Sequence, residues 1–331
     1  MVAFRFTVLG LAALSIFGDA LARPHSHHLD GLVPRDAALH RHVARDPKKS
    51  KQKPIKGGSS GFGKGIVYSP YCKATGCKTK DTINKEIKKI SETGEGYKYM
   101  RLYGTDCDQL PIVLSAAGKV GMTVMLGIYD LASSDAVAKQ TKELIAGVQA
   151  ANKALGKPEK DWSLVNAVSV GNEWLFNHPG DSPEKCLQLA GQVRTELRAA
   201  GYNGPVTNTD VWTILRDKPQ LCGEDQIVTV NMHPFFDANT DAASAGEFLK
   251  RHVAELEKIC KKPVIVAETG WPNAGSQMAK AKPGVAEQAV FLKGAAANLK
   301  DYCLLSAYDE DWKEAGLAGV EPHWGIYKAP A

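Results

Sequence analysis

Residues 264–272 decide the fold of this chain, and they read Val264-Ile265-Val266-Ala267-Glu268-Thr269-Gly270-Trp271-Pro272. The four apolar residues that open the stretch are typical of a parallel strand buried on both faces. Gly270 and Pro272 break the strand directly afterwards. We therefore expect Glu268 at the point where a buried strand becomes a loop, with its carboxylate emerging from the core.

A second run has the same pattern, Ala167-Val168-Ser169-Val170-Gly171-Asn172-Glu173-Trp174. It also carries an apolar strand into a glutamate that an aromatic residue follows. Most glutamates are solvated loop acids, and either residue taken alone fits that ordinary role. The shared context favours a different interpretation, in which Glu173 and Glu268 form a catalytic pair of carboxylates at one mouth.

The rest of the chain from residue 65 alternates strand and helix patterns. Eight such units in 267 residues allow about 33 residues each, which is typical of a barrel of parallel strands surrounded by helices. A doubly wound sheet is the alternative, but it usually has a glycine-rich first turn that is missing here. We therefore predict an α/β fold, a single (β/α)8 TIM barrel, whose chemistry lies at the carboxyl ends of its strands. The predicted strands are 66–68, 99–103, 122–128, 167–173, 206–209, 227–231, 264–268 and 304–308, and the predicted helices 79–91, 108–118, 135–155, 183–200, 245–260 and 286–299.

Two segments precede the barrel. Residues 1–22 combine a charged start, a short apolar run and a small-residue cleavage site, the pattern of a secretory signal peptide. Residues 23–64 are rich in Lys, His, Pro, Gly and Ser and predict a disordered basic leader or pro-segment, with a solvated tail preferred over a metal-binding role for its histidines. Residues 58–65 are similar to the phosphate-binding loop motif, but Gly65 occupies the position where that motif has Ser or Thr, and no predicted strand precedes the segment. Residues 65–331 form the predicted catalytic domain.

The distribution of charge and cysteine residues indicates which kinds of binding partner and which cellular compartment fit this chain. The net charge of +5 is concentrated in the leader, whose net charge is +7, so the body carries 5 minus 7, or −2. A nearly neutral body does not suggest a nucleic-acid groove, and no further apolar run is long enough to span a membrane. All seven cysteines lie in the body, and in a secreted chain some of them are expected to form disulfides.

Two carboxylates at one mouth are the residues that glycoside cleavage requires. One protonates the leaving oxygen while the other attacks or assists at the anomeric carbon. Arg101 is expected inside the barrel or at its mouth, where it needs an acidic partner, and Asn172 beside Glu173 can bond a sugar hydroxyl. Aromatic rings near strand ends can stack on sugars, although several are equally expected to pack the loops. Those rings belong to Tyr68, Tyr103, Tyr129, Trp174, His233, Phe235, Phe236, Trp271, Tyr308 and Trp312.

The combination of motifs resembles glycoside hydrolase family 17, the β-1,3-glucanases, and most closely the branch found in fungal cell walls. The motifs are Val170-Gly171-Asn172-Glu173, Glu268-Thr269-Gly270-Trp271-Pro272, Gly65-Ile66-Val67-Tyr68-Ser69-Pro70-Tyr71, Arg101-Leu102-Tyr103-Gly104-Thr105-Asp106-Cys107, Asn231-Met232-His233-Pro234-Phe235-Phe236-Asp237 and Glu321-Pro322-His323-Trp324-Gly325.

The resemblance implies a retaining mechanism on β-1,3-glucan, with Glu173 as acid/base and Glu268 as nucleophile. It implies no metal and no organic cofactor, and it pairs Cys77 with Cys107 and Cys222 with Cys260. We expect a secreted monomer, extracellular or in the cell wall. The sequence departs from the wall branch because it lacks a Ser/Thr-rich stalk and any Asn-x-Ser/Thr sequon, so free secretion stays open.

Three alternatives stay open at this point. Hydrolysis and glycosyl transfer to a sugar share every catalytic residue, so the sequence does not separate them. A wall-binding protein that retains the barrel without turnover predicts a damaged acid/base or nucleophile, and both are intact. A barrel of a related clan acting on another β-glycan is the third alternative.

Overall fold

The computed structural model describes residues 61–330, which form one closed barrel of eight parallel strands. The first barrel strand, Lys64–Val67, pairs with the last, Tyr302–Leu304, on one side and with the second, Tyr99–Arg101, on the other, which closes the ring. Each of the other barrel strands pairs with the barrel strands before and after it in the chain. Helices run between consecutive barrel strands, so the predicted (β/α)8 barrel is confirmed. Among the described residues, no helix combines the length and the apolar character that crossing a membrane requires.

The strands and helices have the following bounds. The barrel strands are β1 Lys64–Val67, β4 Tyr99–Arg101, β5 Thr123–Ile128, β6 Val165–Asn172, β7 Val206–Val211, β8 Val228–Asn231, β9 Val264–Thr269 and β10 Tyr302–Leu304; β2 Tyr71–Cys72 and β3 Gly76–Cys77 form a small antiparallel hairpin. The helices are α1 Lys80–Ser91, α2 Gln109–Lys119, α3 Ser134–Ala154, α4 Trp174–Asn177, α5 Pro183–Ala199, α6 Trp212–Asp217, α7 Ala245–Cys260 and α8 Val285–Asn298.

Helix α1 shows how the outer layer follows from the sequence. Thr79 caps its amino end by accepting a hydrogen bond from the backbone N–H of Thr82. Ile83, Ile87 and Ile90 recur at helical spacing, and all three are buried against the barrel. The lysines between them face solvent, so the helix covers one side of the sheet.

The amino-terminal end of the barrel begins earlier than the predicted boundary at residue 65. Strand β1 starts at Lys64, and the ring of Phe62 is buried with its edge against Tyr99, 5.8 Å between centroids. The backbone N–H of Gly63 also donates to Asp301 Oδ1 at 2.6 Å. Phe62, Gly63 and Lys64 therefore pack with the barrel. The expected signal peptide and residues 23–60 lie outside the described residues.

One strand boundary and three short elements also differ from expectation. The eighth strand was expected at residues 304–308, but β10 covers Tyr302–Leu304, because pairing with β1 and β9 ends there. The short helices α4 and α6 and the hairpin of β2 and β3 were not expected. Each of these elements is at most six residues long, so none carries a recognisable hydrophobic period.

Two disulfides tie loops to the barrel. Cys77 is bonded to Cys107, and Cys222 is bonded to Cys260, which confirms both pairings that the resemblance implied. The other three cysteines, Cys72, Cys186 and Cys303, are free, and the last two are buried.

Candidate active site

The two glutamates reach the same mouth because of irregularities in their strands. In the pairing of β6 with β7, the register shifts between Val170 and Asn172, so Gly171 is an extra residue with φ +81°. Glycine suits this bulge because residues with a side chain rarely adopt this φ, and an added Cβ would also lie 2.8 Å from the side chain of Leu131. Glu173 follows with φ 52° and ψ 37°, a left-handed backbone that costs a non-glycine residue roughly 1–2 kcal/mol.

A similar shift precedes Glu268 in β9. Val230 pairs with Val266 and Asn231 pairs with Glu268, so Ala267 is the extra residue of this strand. Bulges of this kind turn a side chain to a new direction. The carbonyl of Ala267, released from the ladder, accepts a hydrogen bond from Arg101 Nη1 at 3.0 Å.

A single amide bridges the two carboxylates. Asn231 Nδ2 donates to Glu173 Oε1 at 2.9 Å and lies 3.5 Å from Glu268 Oε2. These two oxygens therefore lie at most about 6.4 Å apart, below the roughly 6.5–9.5 Å of inverting glycosidases. The pairing of Glu173 with Glu268 that the sequence predicted is thus present as a geometric pair.

Arg101 organises the floor of this site. Its guanidinium is fully buried, and Nη1 donates to Asn231 Oδ1 at 2.9 Å and to Glu268 Oε2 at 3.2 Å. Nη2 donates to Asn172 Oδ1 at 2.8 Å. Arg101 was expected among the substrate contacts, but it has no exposed surface. It instead satisfies the predicted need for an acidic partner, which is Glu268.

Two further groups hold Glu268. The hydroxyl of Tyr103 donates to Oε2, and His233 Nε2 lies 2.9 Å from Oε1. Because an ionised carboxylate only accepts hydrogen bonds, His233 must carry its proton on Nε2. Burial and the charge of Glu268 raise the pKa of Tyr103 well above its ordinary value, so this phenol remains a donor.

These contacts make the two carboxyl groups chemically unequal. Burial would raise the pKa of Glu268, but the hydrogen bond and charge of His233, the charge of Arg101 and the bond from Tyr103 lower it to about 2. Burial and the charge of Glu268 raise the pKa of Glu173 to about 7, against the lowering effect of the Asn231 hydrogen bond. Near neutral pH one group is therefore an anion while the other still holds a proton, as an acid and a nucleophile require.

Five of the expected substrate contacts keep part of their surface exposed: Tyr103, Tyr129, Asn172, Trp174 and His233. Burial and the nearby charge of Glu173 both raise the pKa of Tyr129, so this ring lies near the Glu173 carboxyl group. Trp174 donates from Nε1 to Asp181 at 2.7 Å and stacks on His178 at 3.9 Å. Trp312, also partly exposed, bonds Ser69 and packs edge-on against Tyr71.

Four of the expected contacts have rings that are buried in the protein. Tyr68 and Tyr308 bond the side chain and the backbone of Glu86 in α1, so their hydroxyls face the helix layer. Trp271 is buried with its Nε1 bonded to the carbonyl of Lys282. Phe235 is fully buried and packs edge-on against Trp271 at 5.3 Å. None of these rings offers a face to a sugar.

Sequence reasoning assigned no role to three groups that the structure places at the site. Asn231 ends a predicted strand just as the two glutamates do, and that position was the available signal. Lys313 pairs with Glu310 at 2.7 Å, and the charges of Glu310, Glu321 and Glu268 raise its pKa although burial lowers it. Asp210, buried near the end of β7, directly follows the predicted strand 206–209, and that position was its available signal.

No group of three or more His, Cys, Asp or Glu side chains that could hold a metal ion occurs within residues 61–330. The polar side chains of the mouth are instead occupied with one another, as the bonds among Arg101, Asn172, Asn231 and Glu268 show.

A family model described as the BtgE/BtgC glycoside hydrolase domain matches residues 65–325. The chain belongs to this family. The resemblance to the fungal branch of glycoside hydrolase family 17 is thereby confirmed, and both carboxylates lie inside the matched segment.

Curated relatives of this BtgE/BtgC domain are fungal. The probable beta-glucosidase btgE of Aspergillus flavus is 35% identical over 275 residues, covering 81% of this chain but 42% of the relative's own length. The cell surface mannoprotein MP65 of Candida albicans is 33% identical over 281 residues, covering 83% and 69%. The probable family 17 glucosidase SCW4 of Saccharomyces cerevisiae is 32% identical over 270 residues, covering 80% and 64%. The chain thus spans less than half the length of the Aspergillus relative.

Solved structures share the fold of this domain. A glycoside hydrolase family 17 beta-1,3-glucanosyltransferase from Rhizomucor miehei matches with a TM-score of 0.63 at 20% identity, covering 80% of this chain and 92% of that one. An active-site mutant of the same enzyme, in complex with laminaritriose, matches with a TM-score of 0.62 and covers 82% and 94%. At this sequence identity the similarity shows a shared barrel fold but does not show a shared activity.

Proposed function

We propose that this domain is a secreted retaining glycosidase that cleaves β-1,3-glucan by double displacement. The observation that carries the proposal is the pair of unequal carboxyl groups, Glu173 with a raised pKa and Glu268 with a lowered one, bridged by Asn231. Membership of a glycoside hydrolase family supports the same reaction class.

In the first step Glu268 attacks the anomeric carbon and forms an ester with it. The bond from that carbon to the glycosidic oxygen breaks, and the leaving oxygen takes the proton of Glu173. Arg101, His233 and Tyr103 keep Glu268 ionised and fix its direction before the substrate arrives. Their contacts are already in place, so little reorganisation is needed in the transition state.

In the second step Glu173, now ionised, takes a proton from the acceptor, whose oxygen displaces Glu268 from the anomeric carbon. The acceptor is water in hydrolysis and a sugar hydroxyl in glycosyl transfer. Both outcomes restore the proton on Glu173 and retain the configuration at the anomeric carbon.

The side chains around the pair suit an uncharged sugar chain. Asn172 Oδ1 is committed to Arg101 and Asn231, which orients the amide so that its N–H groups can donate to a sugar hydroxyl. Tyr129, Trp174 and Trp312 are partly exposed rings that can stack on sugars. The β-1,3 linkage is supported by the laminaritriose bound to the Rhizomucor miehei enzyme and by the family of the fungal relatives.

We also propose that the domain acts outside the cell as a monomer, free or in the wall. Two disulfides suit an oxidising compartment, and relatives include a cell surface mannoprotein.

The test is the release of reducing sugar from laminarin, lichenan and cellulose, with Glu268→Gln as the matched inactive variant. Activity on laminarin that is lost in Glu268→Gln supports the proposal. Preference for lichenan or cellulose would assign the domain to another β-glycan. Binding to laminarin with neither reducing-sugar release nor any change in chain length would favour the wall-binding alternative, because transfer alone conserves the number of reducing ends. Product analysis on laminari-oligosaccharides then separates hydrolysis from transfer, because only transfer yields chains longer than the substrate.

A further inference from the structure

Asp210 is a buried acid with no direct place in the proposed reaction. It is the next-to-last residue of β7 and is 3% exposed. One carboxylate oxygen, Oδ2, accepts from the backbone N–H of Leu175 at 2.8 Å. The other, Oδ1, accepts from the backbone N–H of Val211 at 2.9 Å. The carboxylate therefore joins its own strand to the turn that follows β6.

That turn is the one that carries Glu173. Helix α4 begins directly after Glu173, and the side chain of Glu173 makes no capping bond to it. Asp210 supplies the missing acceptor from the neighbouring strand, because it binds the N–H groups of Leu175 and Phe176 at the start of α4. On the other side, the backbone N–H of Glu173 donates to the carbonyl of Thr209 at 2.9 Å.

Strand β7 thus fixes the backbone on both sides of Glu173. The left-handed conformation of Glu173 is unfavourable for a residue with a side chain, so it needs support from its surroundings. Because Asp210 does the capping, the Glu173 carboxyl is released from that task and reaches Asn231 in the mouth.

We propose that Asp210 is a positioning residue for Glu173, holding the turn that aims the acid/base carboxyl at the glycosidic oxygen. This inference rests on the proposed function, since it assumes that Glu173 is the proton donor. Asp210 does not touch substrate in this scheme and acts only through Glu173.

The charge of Asp210 has a second effect in the same direction. Burial raises the pKa of Asp210 to about 6, against its bonds to the backbone of Val211, Leu175 and Phe176 and the charge of Lys218. Once ionised, Asp210 adds to burial and to the charge of Glu268 in raising the pKa of Glu173. The other titratable groups facing this acid are the thiol of Cys186 in α5 and Lys218 after α6. Removing the charge should therefore lower the pH at which Glu173 loses its proton.

The experiment compares Asp210→Asn with Glu173→Gln on two substrates, a laminari-oligosaccharide and a dinitrophenyl β-laminaribioside. The oligosaccharide needs a proton donor for its leaving group, whereas dinitrophenolate leaves without one. We expect Asp210→Asn to lower kcat/KM for the oligosaccharide by about 10- to 100-fold and for the aryl substrate by less than about threefold. We also expect the alkaline limb of its pH profile on the oligosaccharide to move to lower pH.

The double variant Asp210→Asn with Glu173→Gln shows whether Asp210 acts through Glu173. We expect no loss in the double variant beyond that of Glu173→Gln alone. The matched control is Asp225→Asn, which removes a similarly buried carboxylate that pairs with Arg194 at 2.9 Å at the other end of the barrel. This control should lower thermal stability without changing the ratio of the two substrates.

Equal losses on both substrates, or an additional loss in the double variant, would overturn the positioning role. If the alkaline limb of the Asp210→Asn pH profile does not move, the charge of Asp210 does not raise the pKa of Glu173. If Asp210→Asn does not fold, Asp210→Ser, which keeps one small acceptor, is measured in the same way. Full activity of Glu173→Gln on the oligosaccharide would instead refute the proposed function, whatever Asp210 does.

Discussion

The amide nitrogen of Asn231 lies 2.9 Å from Glu173 and 3.5 Å from Glu268, so one neutral side chain stands between the two carboxyl groups. Three strong donors bind Glu268, namely Arg101, His233 and Tyr103. Glu173 receives the Asn231 amide. The division of labour between acid and nucleophile follows from this unequal distribution of donors.

The free energy of unfolding should depend on pH because the pKa of Glu173 is raised in the folded protein. Folding raises this pKa from 4.5 to about 7, so the folded state holds a proton that the unfolded state releases between these values. The stabilisation is full below pH 4.5 and is lost as the pH rises through 7. Glu173→Gln removes this loss and should gain stability over the parent between pH 5 and pH 8, by roughly 3 kcal/mol at most.

Thermal unfolding of both proteins at pH 5 and pH 8 measures this difference. Glu257→Gln, at an exposed position on α7, is the matched control. A Glu173→Gln variant whose advantage stays constant over this range would show that the acid is not protonated in the folded protein.

Arg101 should set the acid limb of the activity profile. Its charge helps to lower the pKa of Glu268, which must be ionised to attack. Arg101→Met should raise that pKa, move the acid limb to higher pH and destabilise the fold by about 3–5 kcal/mol, because a buried carboxylate loses its partner. Arg101→Lys keeps the charge but not the fork of donors that reaches both Asn172 and Glu268.

The pH dependence of kcat/KM for the two variants separates charge from geometry. We expect the acid limb of Arg101→Lys to stay near that of the parent while kcat falls. An acid limb that does not move in a folded Arg101→Met protein would contradict a role for this charge.

The disulfide between Cys77 and Cys107 should stabilise the first two units of the barrel. It closes a loop with a sequence separation of 30, so its removal should cost roughly 3 kcal/mol through greater freedom of the unfolded chain. The variant with both cysteines replaced by alanine is compared with Cys72→Ser, which changes a free thiol. Denaturant midpoints without reductant give the result, and equal midpoints for all three proteins would rule out a stabilising role.

Because Phe62 and Gly63 pack against the barrel, the stability of shortened chains should show where the domain begins. A chain that begins at Gly61 should keep its stability and activity, because the described contacts are all present. A chain that begins at Gly65 loses the burial of Phe62 and the Gly63 bond to Asp301, and should be less stable by about 2 kcal/mol. Equal melting temperatures would place the boundary at residue 65, as the sequence alone suggested.

The barrel and its two glutamates were predictable because they depend on patterns within single strands. Apolar runs that end in Glu173 and Glu268 place both residues without knowledge of any other contact. The sequence does not show arrangements that depend on distant partners. Tyr68 and Trp271 follow strand ends as Tyr103 does, but Glu86 and Lys282 bind their polar atoms away from the mouth.

The β-bulges are a second feature of the site that the sequence alone does not predict. The extra residues Gly171 and Ala267 appear only when the strand is paired with its neighbour, so a single strand does not show them. The capping of α4 by Asp210 depends on the same pairing. Asn231 belongs to one of the family motifs, but its place between the two carboxylates depends on three strands at once.

The most direct measurement of the division of labour is the anomeric configuration of the product that azide yields with each glutamate variant. In Glu268→Ala, azide should enter from the side of the missing nucleophile and give an α-glycosyl azide from a β-linked substrate with a good leaving group. In Glu173→Ala, azide should intercept the glycosyl-enzyme and give the β-glycosyl azide. Exchanged anomers would reverse the roles of the two residues, and full activity of either variant without azide would remove that residue from the mechanism.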